Sequence, residues 1–382
     1  MSINLYSKLK TDDPNVSYKL IELNDNLMKL LKDNDSRKKL QFKSLDDANS
    51  HVVLCSKDKT WLLRQKDHSN MSMLMHEGVV DDNSKTIDPS LLFGLPPPIT
   101  DYIGFARTTY EYETIVTEGR LRLDNIPIYD GEEDFKVKDK SNQISFQRLL
   151  EDSPCSSKEG LQQWHSLCGC TINDQACLLS SKFINKALHV TLMSVLAESM
   201  KLDELKLKES YEAVSKDMNS EFNPYTIEVV ETVLNKFGRV KNAEVEEEKI
   251  WELDNPVIAK WYGIQSLKKY VNKSSLPFDE FMLQWRSQFP PFFPCDIDIS
   301  MLRGNYYQPQ PKQIQYFAKN SLSQDPKDCF KTLFKLQTSW DLRDIEPFIT
   351  DLNTKHMKID SFIMKYARRR RVGKNYIITS RN

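Results

Sequence analysis

Glycine is scarce in this 382-residue chain, with 11 residues. That scarcity argues against loops that cradle phosphates, and no Gly-x-x-x-x-Gly-Lys-Ser/Thr loop or Gly-x-Ser-x-Gly elbow occurs. The six histidines are scattered and none has His-Glu-x-x-His spacing. Long apolar runs are missing too. The nearest, residues 187–200, is interrupted by His189, Thr191, Ser194 and Glu198, short of the roughly 18 apolar residues of a membrane span. Residues 1–10 lack the apolar core of a signal peptide. A surplus of one charge sign is also absent, since the net charge is −1, so the whole chain has no polyanion-binding character. Seven cysteines, an odd number without framework spacing, fit a reducing compartment. A cytosolic or nuclear chain is expected, without membrane contact.

What is present supports real cores: 40% of residues are hydrophobic and 28% are charged. The length predicts two to four domains. Residues 51–56 and 60–65, separated by Lys57-Asp58-Lys59, read as a hairpin. Val52-Val53-Leu54-Cys55 is apolar on both strand faces, which suggests a sandwich, a barrel, or a sheet covered by another chain. Residues 71–75 add a strand by alternation, and residues 91–95 run into Pro96-Pro97-Pro98. Residues 81–89 and 131–143 are polar and read as loops or linkers. From Ile144 the texture turns helical. Helices are expected over 183–196, 202–218, 226–237, 259–271 and 279–288, with an acidic connector over 240–254. Units of similar helix-rich texture follow one another without any residue-level repeat.

The most informative segment is the last. Between Lys365 and Asn382 there are seven basic residues and no acidic one. On a helical wheel starting from Asp360 as cap, Phe362, Ile363, Tyr366 and Ala367 form an apolar face. Ser361, Lys365 and Arg368 fall on the opposite face, with Arg369 at the border. Val372-Gly373-Lys374-Asn375-Tyr376 then turns, with Lys374 at the tip, and residues 376–379 have strand character. Upstream, a helix over 326–338, a short strand at Trp340 and Leu342, and a second helix capped by Asp344 precede it. Helix, strand, helix, turn, helix, hairpin is the order of a winged helix. The plainer reading of Arg368-Arg369-Arg370-Arg371 is a solvated tail or a nuclear-localisation run.

Two other motifs invite chemistry. Cys168-Gly169-Cys170, with His165, Cys177 and Cys155 near, has poor spacing for structural zinc, and buried thiols explain it as well. Asp296-Ile297-Asp298 has a metal-binding form, but no third carboxylate or basic clamp lies close. A strand with Ile297 and Ile299 inward, and Ser300 capping the next helix, accounts for it equally. Trp261, Tyr262 and Trp285 read as core residues. No catalytic residue, metal or cofactor is expected.

Several segments resemble one family. They are Phe42-Lys43-Ser44-Leu45, residues 52–61, 91–95, 222–226, 231–237, 261–265, 289–304 and 360–371. The family is the "defective in sister chromatid cohesion" (Dcc) subunit of the alternative replication factor C clamp loader, with the fungal members most similar. The Cys168/Cys170 pair is not part of that pattern. The resemblance implies an α+β chain with a β-rich N-terminal barrel (1–130) completed by partner chains, through residues such as Val52, Val53, Leu54, Trp61 and Leu63. Three helix-rich winged-helix domains (144–238, 250–320 and 321–382) would follow. The implied partners are the alternative large clamp-loader subunit and a small third subunit. Beyond these come the catalytic subunit of DNA polymerase epsilon, single- and double-stranded DNA, and, indirectly, PCNA, all in the nucleus. Lys365 and Arg368 match the family's DNA-contacting positions, and Ser361, Arg369, Arg371 and Lys374 lie beside them. ATP hydrolysis would belong to other subunits. A scaffold that binds only proteins is the alternative.

Overall fold

Alternating and β-branched residues around Val52 pair as the sequence suggests. The computed structural model describes residues 3–6, 18–33, 39–44, 51–77, 100–133, 135, 144–216, 222–241, 249–353, 357–373 and 375–381. The loop at 81–89, the apolar run at 91–95 and Lys374 lie outside the described residues. The chain divides into two units, Met1–Pro127 with Lys136–Leu178, and Ile128–Phe135 with Leu179–Asn382.

In the first unit, β1 (Ile3–Tyr6), β2 (Gln41–Ser44), β3 (Val52–Cys55), β4 (Thr60–Glu77) and β5 (Thr100–Thr117) form one sheet, in the order β1-β5-β4-β3-β2. β1 runs parallel to β5, and the other pairs are antiparallel. Among the described residues this sheet is open and does not close into a barrel. The expected strand at 71–75 is the distal part of β4, which with β5 makes a ribbon 18 residues long on each side. Register shifts at Asp67/Ser72 and Leu74/Met75 let it bend.

The β3 strand is indeed covered on both faces, but by its own chain. Leu54 and Trp61 sit opposite one another and pack beneath Leu27 of α1 (Asp25–Lys32), a helix capped by the Asn24 side chain. On the other face, Thr60 is tied to Ser156 and Glu159: its hydroxyl donates to Glu159 (2.5 Å) and accepts from the Ser156 amide (2.9 Å). Ser156 and Glu159 form a capping box at the start of α3 (Ser157–Ser166). The helix α2 (Phe146–Asp152) and the hairpin of β6 (Gly169–Ile172) and β7 (Gln175–Leu179) complete this unit. Asn173 and Asp174 both have left-handed φ, +51° and +61°, as a two-residue hairpin turn requires. Residues 144–178 thus group with the N-terminal sheet. A Cβ built on Gly169 would overlap the Trp164 ring, itself buried against Leu149 and Ala176. Gly169→Ala is expected to cost about 1–3 kcal/mol through overpacking, read as a lower melting temperature of the full chain.

The second unit repeats one order three times. The first pass runs α4 (Ser181–Ala197), β8 (Leu205–Lys206), α5 (Leu207–Lys216), α6 (Ile227–Phe237), β9 (Gly238–Val240) and β10 (Ile250–Leu253). The expected single helix at 202–218 is therefore a strand followed by a helix. The second pass runs α7 (Asn255–Tyr270), β11 (Leu276–Pro277), α8 (Phe278–Arg286), a 3-10 turn (Ile299–Leu302), β12 (Tyr306–Tyr307) and β13 (Gln313–Tyr316). The third runs α9 (Pro326–Leu336), β14 (Ser339–Asp341), α10 (Leu342–Ile349), α11 (Ile359–Tyr366), β15 (Ala367–Val372) and β16 (Asn375–Ser380). Each sheet places its last strand between the other two.

Asp298 is not on a strand. It caps the 3-10 turn, and its carboxylate accepts from the Ser300 amide at 2.7 Å; hydrogen bonding from the Ser300 side chain and then from this amide holds it below the usual carboxylate range. Trp285 and Tyr262 are buried, and the Trp285 indole donates to the Ala259 carbonyl at 3.0 Å. Asp341, rather than Asp344, caps α10, and Pro347 lies inside that helix. Asp344 instead pairs with Arg303 at 2.8 Å.

Candidate nucleic-acid interface

Residues 321–382 contain thirteen Lys or Arg against seven Asp or Glu, so this repeat has a surplus of six positive charges in a chain that is otherwise acidic. Its core is Cys329, Phe330, Leu333, Trp340, Ile345, Phe348, Ile349, Phe362, Ile363, Ala367 and Ile378. That core fixes the basic residues in place.

The basic helix is shorter than its wheel suggests. α11 ends at Tyr366, and Ala367 is already extended, with φ −138° and ψ 169°. Arg368, Arg369, Arg370 and Arg371 lie on β15, paired with Thr379, Ile378, Ile377 and Tyr376 of β16. Arginine is a good helix former, but an unbroken six-pair ladder outweighs local preference. Asp360 is in the first turn of α11, not at its cap, and the N-cap residue Lys358 makes no side-chain cap bond.

A strand alternates its side chains with period two, so the arginine run is divided. Arg369 and Arg371 share the face of buried Ile378. Arg369 pairs with Asp360 at 2.5 Å, and its guanidinium carbon sits 3.9 Å from the Tyr376 ring centroid. The hydrogen bond to Asp360 raises its already high pKa. Arg369 therefore ties β15 to α11. Arg371 is exposed and donates to the Gly373 carbonyl at 3.2 Å. Gly373, at φ +62°, provides the left-handed turn between the strands. Arg368 and Arg370 share the opposite, exposed face. Ser361 and Lys365 are exposed one turn apart on α11, and the Lys365 amine lies 3.2 Å from the Met357 sulfur.

The structure thus brings Ser361, Lys365 and Arg368 to the surface, and turns Arg369 toward an internal ion pair. Sequence reasoning passed over Arg370 and Arg381. Arg370 is signalled by period-two spacing from Arg368 once the run is taken as a strand. Arg381 donates to the Met364 carbonyl, and with Lys365 it flanks a groove of about 540 Å³ beside α9. Among the N-terminal candidates, Val53, Leu54 and Trp61 are buried within this chain, while Val52 and Leu63 are partly exposed. Phe42, on the edge strand β2, is 62% exposed.

Among the described residues, no group of three or more His, Cys, Asp or Glu could hold a metal ion. The Cys177 thiol donates to the Cys170 carbonyl at 3.4 Å, and a side-chain hydrogen bond with Cys170, together with burial, pushes its pKa strongly upward. Burial also raises Cys155, to about 11. Thiols held in the protonated form are poor nucleophiles and poor ligands. Among the described residues, no helix is long and apolar enough to cross a membrane.

These features define a class: a mixed α and β chain with several small sheets and a strongly basic last repeat. A family model described as "Sister chromatid cohesion protein Dcc1" matches residues 18–349, and the chain belongs to that family. It is 52% identical over 386 residues to sister chromatid cohesion protein DCC1 of Saccharomyces cerevisiae, with all of both chains covered. It is 25% identical over 389 residues to the probable DCC1 of Dictyostelium discoideum, covering 94% of this chain and 92% of that protein. Human DCC1 is 26% identical over 359 residues, with coverage of 91% and 84%. The family match supports a role in sister chromatid cohesion, and with it a chromosomal or nuclear place of action. The matched span ends before α11.

Proposed function

We propose that this chain is a non-catalytic accessory subunit of an alternative replication factor C-like clamp loader, acting in the nucleus. In this reading it links the loader to the catalytic subunit of DNA polymerase epsilon and to DNA, for loading or unloading of PCNA at forks. The three passes of helix, strand, helix, helix or turn, strand, strand are winged helices. The N-terminal sheet is one part of a barrel completed by the large clamp-loader subunit and a small third subunit. Among the described residues β2 is an edge strand with an exposed Phe42, which supports this, because such an edge can take up an incoming strand.

The observation that carries the DNA-tethering role is the exposed Lys365, Arg368 and Arg370 set on a rigid basic repeat. Contacts of this kind go to phosphates, ignore sequence and release counterions. With four to six such contacts, binding of the full chain to labelled duplex DNA is expected to fall with salt on a log–log slope of about −4 to −5. Fluorescence anisotropy across a salt series measures it. A chain that binds the polymerase subunit but no DNA at low salt would make it a protein-only scaffold.

A further inference from the structure

The second repeat departs from the other two where they carry α6 and α11. In that place it has residues 287–298, rich in proline and phenylalanine, and then only the 3-10 turn Ile299–Leu302. Phe292 in this stretch is 96% exposed. Its φ is +65°, a conformation that bulky residues rarely adopt. The Phe293 amide donates to the Pro290 carbonyl at 3.3 Å, which closes a tight turn with Phe292 at a position where Gly or Asn is usual. The neighbours on both sides are anchored. Phe289 and Phe293 stack with centroids 5.4 Å apart and planes 9° from parallel, and Phe289 meets buried Tyr262 edge-on at 5.2 Å. Pro290 is buried, and the Asn255 side chain donates to the Pro294 carbonyl at 3.1 Å. The loop thus holds one strained phenylalanine out in water on a fixed base. At that exposure no contact among the described residues offsets the strain, and uncompensated strain of this kind points to function.

The surroundings select the kind of partner. Leu283, on α8, is 70% exposed. Residues 279–298 carry the exposed carboxylates of Asp279, Glu280, Asp296 and Asp298 against the single guanidinium of Arg286. A surface of that sign repels phosphate, and this repeat has no third helix to lay in a groove. We propose that Phe292 is the anchor of a protein-docking surface on the second repeat. The ring enters an apolar pocket of a folded partner, and Lys or Arg side chains on the rim of that pocket face Asp296 and the carboxylates of α8. A buried aromatic anchor carries a large share of the binding energy of such contacts. The stacked base matters because it has already ordered the loop, so docking does not have to. The acidic surround sets orientation and association rate more than affinity. This surface uses none of the basic residues of the last repeat, and it stands whether or not the chain binds DNA.

The probe is a photoreactive side chain at the tip itself. The full chain carrying Phe292→p-benzoylphenylalanine replaces wild type in its own cells and is irradiated, beside a chain with the same change at Lys268, an exposed position on α7. Mass spectrometry locates the residue reached. The protein crosslinked from position 292 is then purified, and its binding to the full chain is measured across a salt series for wild type, Phe292→Asn and Asp279→Asn/Glu280→Gln/Asp296→Asn. The expected crosslink lies in an apolar pocket with Lys or Arg on its rim and is absent from position 268. Asn tolerates the left-handed turn, so Phe292→Asn should melt at or above the wild-type temperature while binding at least about tenfold more weakly. The triple variant should associate about tenfold more slowly at low salt and lose most of the salt dependence. A crosslink to nucleic acid, equal crosslinking from both positions, or none from 292 overturns the proposal. A crosslink to another copy of this chain makes the surface a self-association site and overturns the separate partner. A partner held as tightly by Phe292→Asn as by wild type overturns the anchor. A Phe292→Asn chain that melts well below wild type makes the ring part of the fold instead of a docking group.

Discussion

Charge reversal at Lys365 and Arg368 in the full chain is expected to remove most duplex DNA binding while leaving the fold intact. Both side chains are exposed, and among the described residues no carboxylate is paired with either. Their loss therefore orphans no buried charge, and the melting temperature should not move. Each phosphate contact contributes about one unit of log–log salt slope on a duplex, so the double variant should be shallower by about 2. Reversal adds repulsion to loss, so the affinity drop should exceed tenfold at low salt. Arg369→Gln is the informative control. It removes the ion pair to Asp360 and the stacking on Tyr376, so it should loosen the junction of α11 with β15 and affect DNA less than the exposed pair. If Arg369→Gln matches the double variant on DNA in a folded chain, the arginine assignments are reversed.

Much of the last repeat is legible because its signals are local. The apolar spacing in α9, the Trp340 strand, and Phe362 and Ile363 on α11 each lie within one turn or one strand of their neighbours. The arginine run is not legible in the same way. Arg368, Arg369, Arg370 and Arg371 continue an amphipathic wheel, yet their conformation is decided by Tyr376, Ile377, Ile378 and Thr379 across the hairpin. The same limit applies at Val52, Val53, Leu54 and Cys55. The sequence indicates two buried faces but not what buries them, and the cover comes from Leu27 on one side and the segment before α3 on the other. Asp298 was open between metal ligand and strand residue, with Ser300 as the expected cap; its bond to the Ser300 amide makes Asp298 itself the cap. Lys327, Lys331 and Lys335 recur every fourth residue along α9. Only the fold brings Tyr366 and Arg381 to face them.

Trp340→Ala is expected to unfold the basic repeat, and DNA binding with it. Trp340 is 1% exposed, and its ring meets Phe348 edge-on with centroids 5.6 Å apart at 71°. Its indole donates to the Leu333 carbonyl at 3.1 Å. Truncation leaves a cavity between α9 and α10 and removes one of the two hydrogen bonds to that carbonyl, which also accepts from the Gln337 amide at 3.0 Å. Large aromatic deletions of this kind cost about 3–5 kcal/mol, a sizeable part of the roughly 5–15 kcal/mol that a whole domain possesses. The basic residues themselves would be untouched. Lys365 and Arg381 belong to different elements, and only the packed core sets them beside α9. If the positions carry the function, Trp340→Ala should lose the steep salt dependence of binding along with the cooperative melting of this repeat. Binding that survives in a chain whose last repeat has melted would mean that the seven cations act as a flexible charged tail, and the structured interface would be wrong. Trp340→Phe keeps most of the volume but not the indole donor. It should fall between the two, with weaker stability and near-normal DNA binding at low temperature.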